Sequence, residues 1–200
     1  MLDRRDFVKQ LLADRGDLLV VPGLGSATYD VAAAGDHPLN FYLWGAMGGT
    51  AMIGLGLALA RPDRRVVAIP GDGDMLMGLG SLATIGVKQP KNLAIVVLDN
   101  AHYGETGMQP SHTGAGIDFV AVALACRFRQ ARAVTRIGET AEVRRLLHAG
   151  AGPLLINARI KAEEVPRVLP LRDGHAIKQR FVEALRQHWT NRPARFLDSI

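Results

Sequence analysis

Two hundred residues, 48% of them hydrophobic, make one domain of ordinary size with enough chain to bury a core, and two full domains would not fit. The formal net charge is +5, but Lys and Arg scatter along the chain and thicken after Arg127 without interleaved aromatics, so they read as solvated helix faces rather than a nucleic-acid surface. The single cysteine, Cys126, excludes an internal disulfide and a four-thiolate iron–sulfur cluster within this chain, and no apolar signal region opens at the N-terminus, so a cytoplasmic protein is expected.

Asp3 can cap a first helix whose apolar residues Phe7, Val8, Leu11 and Leu12 recur at helical spacing. Residues 18–21 read as a buried strand, and Pro22-Gly23-Leu24-Gly25-Ser26 as a turn into a helix over 27–34 with Ser26 at its N-cap. Gly23-Leu24-Gly25 is not a dinucleotide fingerprint: position 28 is Thr instead of the third glycine, and no acid ends the next strand-like run, 40–43. A glycine-rich helix is expected over 50–60. The uncharged stretch 41–60 is long enough to cross a bilayer, yet its many glycines and the surrounding strand–helix alternation exclude that reading, so no membrane is expected.

Residues 66–69 and 93–98 are continuous Val- and Ile-rich runs, the pattern of strands covered on both faces of a parallel sheet. The first run ends in Pro70-Gly71-Asp72-Gly73, the second in Asp99-Asn100. Ligands of such sheets bind beyond the carboxyl ends of the strands, so Asp72 and Asn100 would project oxygens into one crevice. Hard oxygen donors beside a glycine turn suit Mg2+ together with phosphate oxygens. A helix is expected over 75–85, then a long Gly-rich loop over 101–116 in which Tyr103, Glu105, Thr106, Gln109 and His112 carry useful chemistry. Helices over 118–126 and 140–149 alternate with strands over 131–134 and 154–157. After residue 160 the pattern changes to an extension (161–200) whose Ile177, Phe181, Val182, Leu185 and Trp189 form one helix face that must be covered by the domain (1–160) or by a partner.

Gly71-Asp72-Gly73, 26 intervening residues (74–99) and Asn100 resemble the signature of thiamin diphosphate enzymes. The wider wording from about residue 18 to 114 is similar to the cofactor-binding subunit of sulfopyruvate and phosphonopyruvate decarboxylases. The resemblance implies an α/β fold of three layers: a doubly wound, mostly parallel sheet with helices on both faces. It implies thiamin diphosphate and Mg2+, the metal held by Asp72, Asn100 and the backbone oxygen of His102. Ser26, Gly71, Gly73, Asp74, Tyr103 and Gly104 would surround the cofactor, Gly45 would offer its carbonyl to the aminopyrimidine next to Ala46, and Met47 would wedge beneath the cofactor. His102, Tyr103, Glu105 and Thr106 are the catalytic candidates.

Two positions depart from these relatives. Asp74 stands where Ser or Ala is common; a carboxylate aimed at a diphosphate would repel it, so Asp74 either turns away, caps the next helix or reaches the metal through water. Met108 stands where the relatives tend to have Gly. No glutamate precedes Gly71, so the activating glutamate is expected on a separate pyrimidine-binding alpha subunit, in a hetero-oligomer acting on an anionic 2-oxo acid. The alternatives are a subunit of a carboligase or a 2-oxo acid oxidoreductase, and a cofactor-binding regulatory subunit without turnover.

Overall fold

In the computed structural model, residues 1–190 are described, the side chains of 187–190 excepted. Residues 191–200 of the C-terminal extension, and the Trp189 side chain expected on its helix face, therefore lie outside the described residues. In chain order the strands are β1 (Leu19–Pro22), β2 (Val66–Ile69), β3 (Leu93–Asp99), β4 (His102–Tyr103), β5 (Gln109–Pro110), β6 (Gln130–Val134) and β7 (Leu154–Arg159). The helices are α1 (Arg4–Leu11), α2 (Ser26–Ala33), α3 (Thr50–Ala60), α4 (Asp72–Met77), α5 (Ser81–Lys88), α6 (Phe119–Ala125), α7 (Thr140–Ala149) and α8 (Gly174–Thr190).

Five strands form one parallel sheet in the order β1-β2-β3-β7-β6, while β4 and β5 make a separate antiparallel hairpin. Each of the three central strands buries both faces, and the pleat sends alternate residues to opposite sides. Val67, Ile69, Val96, Leu98 and Ile156 meet α1, α2 and α7, whereas Val66, Ala68, Ile95, Val97 and Leu155 meet α3, α5 and α6. This is the three-layer α/β arrangement expected. The apolar face of α8 packs on the same body: Ile177, Phe181 and Ala184 are buried, and the Phe181 ring lies 5.3 Å from that of Phe41.

The structure corrects three local expectations. Residues 40–43 are not a sheet strand; one bridge, Val20 to Asn40, ties them to β1. Asn40 is fully buried, accepting from Arg15 and donating to the Tyr42 hydroxyl, and the backbone pairing with β1 is limited to the two bonds that flank it, Val20 N–H to the Leu39 carbonyl and Phe41 N–H to the Val20 carbonyl. The single helix over 75–85 is two helices, α4 and α5. The chain breaks at Gly78 because its backbone is pressed against residue 48: a Cβ on Gly78 would stand 2.2 Å from the Gly48 carbonyl oxygen. The N-cap of α2 is Gly25, at φ 72, and Ser26 is the first helical residue, making no capping bond.

Candidate cofactor and metal site

The ladder between β2 and β3 continues past the end of β2. Gly71 bridges Leu98, and the Leu98 N–H donates to the Pro70 carbonyl at 2.9 Å. This extra rung places Asp72, first residue of α4, beside the Asp99-Asn100 end of β3. Asp72 and Asn100 consequently line one cleft of about 100 Å³ at the carboxyl edge of the sheet. Ser26, Met47, Gly71, Gly73, Asp74, His102, Tyr103, Gly104, Glu105 and Thr106 line the same cleft. Gly45 and Ala46 do not; they form the turn leading to Met47, in which the Gly49 N–H donates to the Ala46 carbonyl.

Asp72 is 2% exposed, and burial, with the charge of Asp99 adding to it, pushes its carboxyl above the usual range against hydrogen bonds from Ser111 and Thr113. The Asn100 side-chain oxygen accepts from the His102 N–H at 2.9 Å, which curls the chain so that residues 100 and 102 face the same space. The His102 ring is oriented by its own strand tip. Its Nδ1 sits 2.8 Å from the Asn100 carbonyl, an acceptor, so that nitrogen carries the proton.

Asp74 borders the cleft, but its carboxylate is engaged by the neighbouring segment. Its carboxylate accepts from the Gly48 N–H at 2.6 Å and from the Thr50 hydroxyl at 2.5 Å, tying α4 to the 45–50 segment that carries Met47. Burial raises this carboxyl as well, opposed by those same bonds.

The 101–116 loop is built rather than loose. The Tyr103 ring packs over Gly73, and its hydroxyl lies 2.9 Å from His112 Nδ1. Thr106 donates to the Gln109 side-chain oxygen at 3.0 Å across the β4–β5 hairpin. Met108 adopts φ 59, the left-handed conformation that suits the glycine expected there. Glu105 reaches the start of α2, where Ser26 donates to it at 3.5 Å and Arg167 of the extension pairs with it at 3.7 Å.

Sequence reasoning missed three contributors. Ser111 and Thr113 lie buried under Asp72. Arg4, 4% exposed, lines the cleft while its Nε donates to Asp30 of α2. Their only signal was a polar residue expected on a surface loop or helix start, which carries no chemistry by itself.

Asp72 and Asn100 put a carboxylate and an amide oxygen on one cleft, with His102 in its lining, and oxygen donors are the hard kind that suits Mg2+. The N-terminus of α2 has no side-chain cap and lines the cleft through Ser26 and Ala27, and such a helix end favours an anion. Both observations fit a diphosphate and its metal.

A three-layer sheet with an acidic turn and an amide at adjoining strand tips defines a cofactor-binding domain of the thiamin diphosphate class. The chain belongs to that family: residues 23–158 match the thiamine pyrophosphate enzyme C-terminal TPP binding domain. It is 37% identical over 188 residues to sulfopyruvate decarboxylase subunit beta of Methanothermobacter thermautotrophicus, covering 93% of this chain and 97% of that one. It is 41% identical over 124 residues to the subunit beta of Methanocaldococcus jannaschii, covering 62% of this chain and 65% of that one. Phosphonopyruvate decarboxylase of Streptomyces viridochromogenes is 38% identical over 169 residues, 82% of this chain and 42% of that longer protein. In fold, the chain superposes on the 4-hydroxybenzoylformate decarboxylase of Rhodococcus jostii with a TM-score of 0.65 at 24% identity, over 82% of this chain and 33% of that one. Among the described residues no helix is long and apolar enough to cross a membrane.

Proposed function

We propose that this chain is the diphosphate-binding subunit of a thiamin diphosphate and Mg2+-dependent 2-oxo acid decarboxylase of the sulfopyruvate or phosphonopyruvate type. The observation that carries the reading is the convergence of Asp72, Asn100 and His102 on one cleft at the sheet edge. The relatives named sulfopyruvate decarboxylase subunit beta support the substrate class, an anionic 2-oxo acid, and the subunit organisation.

Asp72, Asn100 and the His102 carbonyl would hold Mg2+, and the α2 and α4 starts would face the diphosphate. When bound, the cofactor supplies the electron sink that lets carbon dioxide leave a 2-oxo acid. Gly71 and Gly73 bring the backbone close, Met47 supports the cofactor from its position at the cleft mouth, and the Asp74 bonds to residues 48 and 50 fix that support. His102, Tyr103, Glu105 and Thr106 line the same cleft and are the side chains that a bound substrate would meet.

The cleft is smaller than the 300–1,000 Å³ or so of a complete small-molecule site, and an apolar groove of about 560 Å³ adjoins it. Met47, Met77 and Ile117 in that groove are 42%, 66% and 42% exposed. A pyrimidine-binding alpha subunit that covers this face and brings the activating glutamate accounts for both features. The test mixes the purified chain with the product of a neighbouring reading frame encoding such a domain and follows carbon dioxide release from sulfopyruvate and phosphonopyruvate. Release by the mixture alone is expected. Release by the isolated chain would overturn the divided site, and viologen reduction without decarboxylation to the aldehyde would move the assembly to the oxidoreductases.

A further inference from the structure

We propose that Ser111 and Thr113 are positioning residues for the metal: a buried hydroxyl clamp that fixes the Asp72 carboxylate so that one oxygen is left for Mg2+. The inference rests on the cofactor reading above and assigns a role to loop residues that the signature does not contain.

Ser111 Oγ donates to Asp72 Oδ2 at 2.5 Å, and Thr113 Oγ1 lies 3.4 Å from the same oxygen. Both side chains are almost fully buried, at 2% and 3% exposure. Among the described residues no side chain donates to Asp72 Oδ1, and the one further donor to this carboxylate is its own backbone N–H. A carboxylate in the first turn of a helix is otherwise free to rotate about its last torsion, and two contacts on one oxygen remove that freedom.

The clamp is anchored at its other end. Thr113 donates to Asp99 Oδ1 at 2.8 Å, and the two hydroxyl oxygens of the clamp are 2.9 Å apart. Asp99 closes β3 and is itself held by Asn157 Nδ2 at 3.0 Å and by Arg159, both on β7, and by the Ala101 N–H at 3.0 Å. Asp99 immediately precedes Asn100, so one network sets the direction of both strand-tip ligands. It also separates two buried like charges, since the hydroxyls of residues 111 and 113 stand between the carboxylates of 72 and 99. The loop backbone presents the clamp through the Ser111 N–H, which donates to the Ala101 carbonyl at 2.8 Å.

Partners that orient a ligating carboxylate are worth roughly 10–100-fold in metal affinity. The test titrates thiamin diphosphate into the full chain by calorimetry at a series of Mg2+ concentrations, for wild type, Ser111→Ala, Ser111→Thr, Thr113→Val and Thr113→Ser. Ser111→Ala and Thr113→Val are expected to raise the Mg2+ concentration giving half-maximal cofactor binding by about 10–100-fold. At saturating Mg2+ the cofactor affinity should return to the wild-type value, and the hydroxyl-retaining variants should stay near wild type throughout. An unchanged Mg2+ requirement in Ser111→Ala and Thr113→Val overturns the clamp. A loss of cofactor affinity that saturating Mg2+ does not restore also overturns it, because that is what simple loosening of the loop would do. Wild type failing to bind the cofactor in a Mg2+-dependent way is a different result, and it removes the functional reading on which the clamp depends.

Discussion

Asp74 offers the sharpest test of how the site is held together. It is 6% exposed, and its two oxygens accept from the Gly48 N–H at 2.6 Å and the Thr50 hydroxyl at 2.5 Å. Replacing it with Ala leaves both donors without their acceptor, the Thr50 hydroxyl in a buried place and the Gly48 N–H in a half-buried one. Hydrogen bonds to a charged group contribute about 1.5–3 kcal/mol each, so the gross loss is about 3–6 kcal/mol. Relief of the carboxylate's own desolvation, which is what raises its pKa, offsets part of that and leaves a net cost of about 2–4 kcal/mol. Asp74→Asn keeps the shape and one acceptor, while the Thr50 hydroxyl can turn to accept from the new amide, so its cost should be nearer 1 kcal/mol. Urea unfolding followed by circular dichroism measures both: with a slope of about 2 kcal/mol/M, Asp74→Ala should lower the midpoint by about 1–2 M at unchanged slope. A loss under about 0.5 kcal/mol, the range of an unremarkable surface change, would refute the tether. The same Asp74→Asn protein should keep Mg2+-dependent cofactor binding; losing it would return Asp74 to the metal.

Two further outcomes follow from the loop and the extension. Met108→Gly should be tolerated and should raise stability by up to about 1 kcal/mol in the same urea assay, because a β-carbon at φ 59 carries a left-handed penalty that glycine does not; a clear loss would mean the side chain supplies more by packing than the backbone costs. Asp36 accepts from Arg180 of α8 and from the Tyr42 hydroxyl. Burial works against ionisation there, but the Arg180 and Tyr42 hydrogen bonds outweigh it and hold the carboxyl below its usual range. With a depressed folded pKa, this tether is fully present above the unfolded value of about 3.9 and is lost as pH falls through the folded one. The protection of α8 amides relative to their intrinsic exchange rates should therefore fall below about pH 4 in wild type and lose that pH dependence in Asp36→Asn; identical protection profiles would disprove the tether.

The fold was legible where burial writes a periodic pattern. The buried runs of β2, β3 and β7, the apolar faces of α1 and α7, and the Asp3 cap all appear in the chain as residue type at fixed spacing, whereas the helix expected from residue 118 begins at Phe119 with Asp118 as its cap. What escaped was decided by contacts distant in sequence. Residues 40–43 look like a strand until Arg15 and Tyr42 satisfy Asn40. Gly78 looks like a neutral helix residue until residue 48 arrives against it. Of the site, Asp72 and Asn100 were readable because strand ends and oxygen donors coincide there. Ser111, Thr113 and Arg4 were not, since a hydroxyl in a Gly-rich loop or an arginine on a first helix acquires meaning only from the carboxylate that the fold sets beside it.

The sequence Gly71-Asp72-Gly73-Asp74 raises an apparent conflict, two acids at the place meant for a diphosphate. Helix geometry removes it. The sequence pattern starts the helix after Asp74, whereas α4 begins at Asp72, so both acids lie in its first turn. Residues two apart on a helix point about 200° from one another and cannot serve the same ligand. One aspartate therefore faces the tip of β3 and the oxygen donors there, and the other faces the 45–50 segment, where a backbone N–H and a threonine hydroxyl take up its charge. The second acid costs the cofactor corner little because the helix turns it toward the segment that carries Met47. A serine at position 74 could reach only one of those two donors, so the carboxylate couples the acidic turn to that segment more firmly than the residue common among the relatives would.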